Sequence, residues 1–225
     1  MFVSRSMTTT VITVPGETTL HAAQELMAQH HIRHLPVVDG EGRLEGIVSE
    51  RDLRSALPSS LLEEAEREAR KTELFKRPVT DIMTADPVAI SGSATIQDAL
   101  LMIQQHRVGA FPVVGENRML EGIVSVRDLL RAFINIMGIG EPGTLLCILV
   151  EEKVGQLKKI VDAIAEENIS MGSVLVARYW DEGKRAVFPY LLTNNVGGIK
   201  KKIVALGFEL LDPMAWYMDQ LPSNE

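Results

Sequence analysis

Hydrophobic positions along the first 57 residues change period three times. Val11 to Val14 (VITV) is a short β-type run closed by the turn pair Pro15-Gly16. Leu20, Ala23, Leu26, Met27 and His30 then recur at helical spacing, with Thr18 or Thr19 placed to cap the helix. Leu35 to Val38 (LPVV) returns to a strand, which Pro36 limits to an edge or an end. Asp39 to Arg43 (DGEGR) is a glycine-bearing hairpin connection to a partner strand over Leu44 to Val48. Glu50 to Leu57 reads as a short helix that starts where Ser49 ends the strand. The predicted unit is strand–helix–strand–strand–helix.

The unit recurs. Leu44 to Leu53 reads LEGIVSERDL and Leu120 to Leu129 reads LEGIVSVRDL. At a fixed offset of 76, residues 7–53 and 83–129 share 19 identities in 47 pairs, where chance would give roughly three. The second copy is expected to begin at Asp81 and end near Phe133. Between the copies, Ser60-Leu61-Leu62-Glu63 is a capping-box pattern and EEAEREARK after it is helix-forming and charged. This predicts a connecting helix with a solvated face.

Gly138 to Gly143 (GIGEPG) reads as a glycine–proline linker, its Gly138-Ile139-Gly140 a hinge. Beyond it the pattern changes. Strands are predicted over Thr144–Glu151, Ser170–Trp180, Arg185–Thr193 and Phe208–Leu211, the middle two joined by a DEGK hairpin. Amphipathic helices are predicted over Gly155–Asn168 and Val196–Leu206. The order β-α-β-β-α-β is that of a ferredoxin-like split βαβ sandwich. The expected partition is 1–58 and 78–137 for the repeats, 59–77 for the connecting helix, 138–143 for the linker and 144–216 for the last unit.

Composition narrows the function classes. With 23 Lys and Arg against 30 Asp and Glu, the chain carries a net charge of −7, which argues against nucleic acid and against an anionic membrane surface. No basic flank precedes a long apolar stretch, so no signal peptide is expected, and the apolar runs fall short of a membrane span. Cys147, the single cysteine, lies in the apolar run TLLCILV and reads as a core thiol in a reducing compartment. A cytoplasmic location follows as the expectation.

The chemistry worth weighing sits at the end of each copy, where Gly-Ile-Val-Ser-x-Arg-Asp-Leu feeds a strand into a helix. Ser49 and Ser125 fall at a helix start, where unpaired N–H groups and the helix dipole favour an anion. Asp52 and Asp128, three residues on, can accept two hydrogen bonds from a vicinal diol such as ribose, each worth roughly 1.5–3 kcal/mol. Gly46 and Gly122 lack a Cβ, which allows close approach of a ligand or of neighbouring backbone. The competing reading is structural: Ser-x-x-Asp is also a capping motif, and a duplicated cap is still a cap.

Gly46-Ile47-Val48-Ser49-Glu50-Arg51-Asp52 and Gly122-Ile123-Val124-Ser125-Val126-Arg127-Asp128 resemble the CBS domain, whose tandem pairs form a pseudo-twofold module with two clefts for adenosine-containing ligands. The resemblance implies that Asp52 and Asp128 hold ribose and that Ser49 and Ser125 contact phosphate or ribose. It implies an adenine slot lined by Thr10, Val11, Ile12, His34, Leu35 and Pro36 in the first copy. In the second copy the same slot would use Asp86, Pro87, Val88, Ala110, Phe111 and Pro112. The C-terminal part resembles an ACT domain, a βαββαβ amino-acid-sensing module that dimerises through its sheets. Its ligand loop would be Glu152 to Leu157, with Gly155 kept and Val154 where that family carries proline. Amino-acid binding and dimerisation alone both stay open. The whole layout is similar to the CBS–ACT proteins of bacterial acetoin utilisation, through IRHLPVVD at 32–39, the charged insert after Pro58 and DLLRAFINIMGIGEPG at 128–143.

Other constellations are weaker. Among His21, His30, His31 and His34 only His30 and His34 stand at spacing four, the IRHLPVV run places His34 at a strand start, and no clustered carboxylate or cysteine completes a shell, so no metal is expected. There is no phosphate-binding loop of the G-x-x-x-x-G-K-[ST] type and no dinucleotide fingerprint. Lys200-Lys201-Lys202 reads as a solvated helix face. The expectation is an α/β protein without catalytic residues or a required cofactor. It would bind AMP, ADP, ATP or S-adenosylmethionine as a regulatory ligand, form a homodimer and act on a client protein. A ligand-free dimerisation scaffold and a weak nucleotide hydrolase are the rivals.

Overall fold

The computed structural model describes residues 1–58, 63–181 and 183–211. The chain divides into two compact units, Met1–Leu130 and Arg131–Glu225. In the first, each copy supplies a helix, a hairpin and a second helix. The first copy gives α1 (Leu20–His30), β1 (His34–Val38), β2 (Leu44–Ser49) and α2 (Glu50–Ala56). After α3 (Glu64–Phe75) and β3 (Thr84–Ala85), the second gives α4 (Ile96–His106), β4 (Ala110–Val114), β5 (Leu120–Ser125) and α5 (Val126–Met137). The hairpins keep one register: His34 faces Ser49 and Ala110 faces Ser125, with a bulge before Val38 and before Val114.

Local chemistry sets these boundaries. Thr19, not Thr18, caps α1, its Oγ1 accepting from the Ala22 N–H at 3.2 Å. Leu20, Ala23 and Met27 are buried, whereas His30, which the spacing puts on the same face, is exposed in the last turn. His31 then ends the helix in the left-handed region. In the turn before β2, Asp39 Oδ1 accepts from the N–H groups of Glu41 and Arg43, and these bonds hold its carboxyl below the usual range. α5 continues past Phe133 to Met137. The connecting helix α3 packs Leu74 and Phe75 on the first copy's core and turns charge outward, as in the Arg70–Glu66 pair. The capping-box serine predicted for it, Ser60, lies outside the described residues, and Glu63 at the observed N-cap makes no side-chain cap bond.

The strand expected over Val11–Val14 shrinks to one bridge, Val14 beside Val37. Val14 donates to Pro36 O and accepts from the Val38 N–H. The next rung would need a donor at residue 36, and proline has none. Pro112 has the same effect on Ile90 in the second copy.

The copies are joined by exchange. Val3 N–H donates to Ala94 O and Ser4 N–H to Gly92 O, so the amino-terminal turn sits on the second copy. The equivalent residues Val79 and Thr80 donate to Thr18 O and Gly16 O of the first copy. Val3 and Val79 are fully buried, and Val79 lies within the first copy's core. Burial of such a side chain contributes about 1.5–3 kcal/mol. The exchange continues outward as Thr8 bridges Ile123, and β3 pairs with Gly46 and Ile47.

In the second unit β6 (Thr144–Leu145), β7 (Ile148–Glu151), α6 (Gln156–Glu166), β8 (Met171–Asp181), β9 (Lys184–Leu191), α7 (Gly197–Ala205) and β10 (Glu209–Leu210) follow in order. The strand expected over Thr144–Glu151 breaks in the middle. Leu146 N–H reaches Pro189 O, and Pro189 has no N–H to return. The sheet runs β10-β7-β9-β8 with antiparallel neighbours, and β6 extends the β7 position along β9. This is the split βαβ order. Ile148, Val150, Ile160, Ile164, Ile199 and Ile203 fill its core. Glu182 of the predicted DEGK hairpin lies outside the described residues. The stretch read as a hinge is tied down within this unit: Ser173 Oγ donates to Met137 O at 2.8 Å and Tyr190 Oη to Glu141 O at 2.5 Å.

Gly46 and Gly122 mark where the exchanged segments pass. A Cβ on Gly122 would stand 3.0 Å from Thr8 O and 2.7 Å from Met7 Sδ, whereas at Gly46 the three nearest atoms all belong to the Met83 side chain. Gly122→Ala should therefore cost about 1–3 kcal/mol in urea unfolding, and Gly46→Ala less, because a methionine side chain moves more readily than backbone.

Candidate functional site

β2 and β5 each end on a serine that starts a helix. Ser49 Oγ accepts from the Asp52 N–H at 3.3 Å, while Asp52 Oδ2 accepts from Ser49 N–H at 2.8 Å and from Ser49 Oγ–H at 2.6 Å. Ser125 and Asp128 repeat the arrangement at 3.3, 3.0 and 2.6 Å. Both are reciprocal capping boxes. The structural reading of Ser-x-x-Asp therefore holds in each copy. In the first copy the cap bonds run through Asp52 Oδ2, so a carboxylate contact to a diol through Asp52 Oδ1 does not require that cap to open.

The strand pairing fixes what stands beside each serine. His34 lies opposite Ser49, and Ala110 opposite Ser125. Pro36, Pro87, Ala110 and Pro112 are buried, Val11, Ile12 and His34 are half-buried, and Thr10 and Val88 are exposed. Ile12 packs against the first copy's core. Gly46 and Gly122, read as points of close approach, approach the chain's own exchanged segments.

His34 reaches across the repeat. A Cβ on Gly109 of the second copy would stand 3.2 Å from His34 Nε2. Burial and then the Arg33 charge pull the imidazole below its ordinary pKa, Asp52 opposes them, and Arg51 adds to the lowering. Arg33 and Arg51, which the motif reading gave no role, are the two cations that act on this imidazole. Aligning the copies would have shown Arg33 to be a charge that the second copy lacks, with Gly109 in its place.

Two cavities lie away from these serines. One of about 800 Å³ is lined by Ser4, Ser91, Ser93, Gly115, Glu116 and Glu121, at the far end of the β4–β5 hairpin from Ser125. One of about 460 Å³ in the second unit is lined by Glu167, Asn168, Ser170, Thr193 and Asn195, away from Val154 and Gly155. Val154 is fully exposed, and Gly155 precedes α6 with φ +90°, a conformation suited to glycine. His21 faces Glu25 and the Phe75 ring, and no group of three or more His, Cys, Asp or Glu among the described residues could hold a metal. Burial pushes the Cys147 thiol up. Among the described residues no helix is long and apolar enough to cross a membrane.

The profile of the CBS domain family matches residues 3–59 and 79–135. Among solved structures, the chain is similar to a Vibrio cholerae protein assigned as an acetoin utilization protein (AcuB), at 29% identity and TM-score 0.52. The match covers 62% of this chain and 96% of that one. It is similar to CBSX2 of Arabidopsis thaliana in complex with AMP, at 27% identity and TM-score 0.50, over 60% of this chain and 97% of that one. The CBS domain pair of protein MJ0100, in complex with 5′-methylthioadenosine and S-adenosyl-L-methionine, matches at 25% identity and TM-score 0.50. There the shares are 59% and 95%.

A lowered imidazole pKa has a defined consequence for folding. The native state binds fewer protons at His34 than the unfolded chain does once pH falls to the ordinary histidine value of about 6.5. Stability is lost as pH drops through that value and levels off below the folded one. Unfolding free energies of His34→Gln between about pH 7 and 5 should fall less steeply than those of the wild type. Parallel profiles would remove the assignment.

Proposed function

The chain belongs to the CBS domain family, and on that premise we propose that it is a non-catalytic regulatory protein whose paired repeats bind an adenosine-containing ligand. AMP, ADP, ATP and S-adenosylmethionine are the ligands this reading admits. The observation that carries it is the twofold Ser–Asp constellation, a hydroxyl and a carboxylate set at the end of each repeat's second hairpin strand. Support comes from the neighbours crystallised with AMP and with S-adenosyl-L-methionine. Thr10, Val11, Ile12, Pro36, Pro87, Val88, Ala110 and Pro112 would line the adenine slots, and His34 the edge of one. The ligand would act by binding one arrangement of the repeats more tightly than another.

The second unit is assigned as an ACT-like module for dimerisation or small-molecule sensing. Its split βαβ order and the left-handed Gly155 before α6 support the assignment. A link to acetoin metabolism is supported by the Vibrio cholerae neighbour. The location is taken as cytoplasmic, and a client protein as the target of regulation.

A ligand-free scaffold is the second reading, favoured by the reciprocal Ser–Asp caps, which the chain's own groups complete in both copies. Calorimetric titration of Asp52→Ala, Asp128→Ala and the double variant separates the two. Under the sensor reading each loss weakens its site roughly 10- to 100-fold, through about 1.5–3 kcal/mol of hydrogen bonding. Under the scaffold reading no titration gives heat, and each variant costs only about 0.5–2 kcal/mol of stability. Undiminished affinity in the double variant would remove the ribose role.

A further inference from the structure

The two copies finish the outer faces of their helices differently. In the first, α1 turns Glu25 outward and α2 turns Glu50 and Arg54 outward. These charges pair within their own helices, Glu25 with His21 and Arg54 with Glu50, and the side chains of Glu25 and Arg54 stand 71% and 72% exposed. The offset of 76 sets Leu101, Val126 and Leu130 at the same positions of the second copy. Leu101 is 65% exposed and Leu130 57%, and Leu100 and Val126 are exposed as well. Water suits a charge at such positions and does not suit a leucine.

The four apolar side chains belong to neighbouring helices. Val126 N–H donates to Gly109 O as Glu50 N–H donates to Arg33 O. α5 therefore starts beside the end of α4 as α2 starts beside the end of α1, and α1 and α2 pack together. The four leave roughly 400 Å² of apolar surface in water, close to the apolar share of the about 800 Å² that each partner gives a stable dimer.

Charge identifies the occupant. Gln97, Leu100, Leu101, Gln104 and Gln105 of α4 are exposed at helical spacing, and none carries a charge. Asp98 on α4 and Arg127 on α5, of opposite sign, stand at the borders. In a twofold contact the same patch meets itself, so a charge at its centre meets its like. A neutral centre with borders of both signs meets that condition. The first copy's face, which carries Glu25 where the second has Leu101, does not.

We propose that a second copy of this chain docks on the outer face of α4 and the start of α5, second repeat against second repeat about a twofold axis. The interface lies within Met1–Leu130 and does not use the sheet of the second unit.

Sedimentation velocity of the full chain over a dilution series tests it. The variants are Leu101→Glu and the double variant Leu101→Glu with Leu130→Arg, which carry the residues that the first copy has at these positions. The wild type should sediment as an assembly of even copy number. Both variants should fall to half that mass or dissociate at a concentration at least tenfold higher, with circular dichroism spectra that match the wild type. Leu101→Gln, which adds no charge, should act in the same direction and by less, so a loss of fold in the charged variants would leave the result readable. A monomeric wild type would overturn the proposal. An assembly whose mass and dissociation none of the variants changes would overturn it too, and would move the interface to another face.

Discussion

Val3 and Val79 are the same residue of the repeat, and each is buried in the copy to which it does not belong by sequence. That exchange is the constraint on which the first unit depends. Two tandem copies that kept their own amino-terminal turns could part without losing core. Here, separating them withdraws a fully buried valine and a run of backbone hydrogen bonds from both. The same exchange explains the glycines. Gly46 and Gly122 have no side chain because Met83 and Met7 cross them, with Thr8 O also against Gly122.

With the copies locked together, each strand end delivers a serine to a helix start, and the Ser–Asp box fixes that start without a ligand. A preformed helix start lowers the ordering cost that a bound anion or diol would otherwise meet. The box thus belongs to folding and is compatible with recognition. His34 adds a second connection across the seam, since its ring fills the gap at Gly109 and its charge state responds to Arg33, Asp52 and Arg51. The imidazole of one copy thus lies against the backbone of the other.

Much of the fold was legible in the sequence, because repeat and period are local signals. The offset of 76, the helix behind Thr19 and the Ser49 and Ser125 helix starts follow from residue order alone. The errors share a cause. The strand at Val11–Val14 and the unbroken strand at Thr144–Glu151 both lost rungs to a proline on the partner strand, Pro36 and Pro189. Partner identity is not a local signal. The same holds for Gly122, where sequence left ligand and backbone equally possible, and for the Gly138–Gly143 stretch, which Tyr190 and Ser173 tie down.

The most direct measurement is the thermal unfolding of the full chain with AMP, S-adenosylmethionine and inosine monophosphate, each at increasing concentration. A ligand that binds only the folded state adds about 2.7 kcal/mol at 100 times its dissociation constant, which is several degrees of melting temperature for units of this size. The account predicts a concentration-dependent rise with an adenosine compound, larger than with inosine monophosphate. A melting temperature that stays flat with every adenosine compound at millimolar concentration would contradict it.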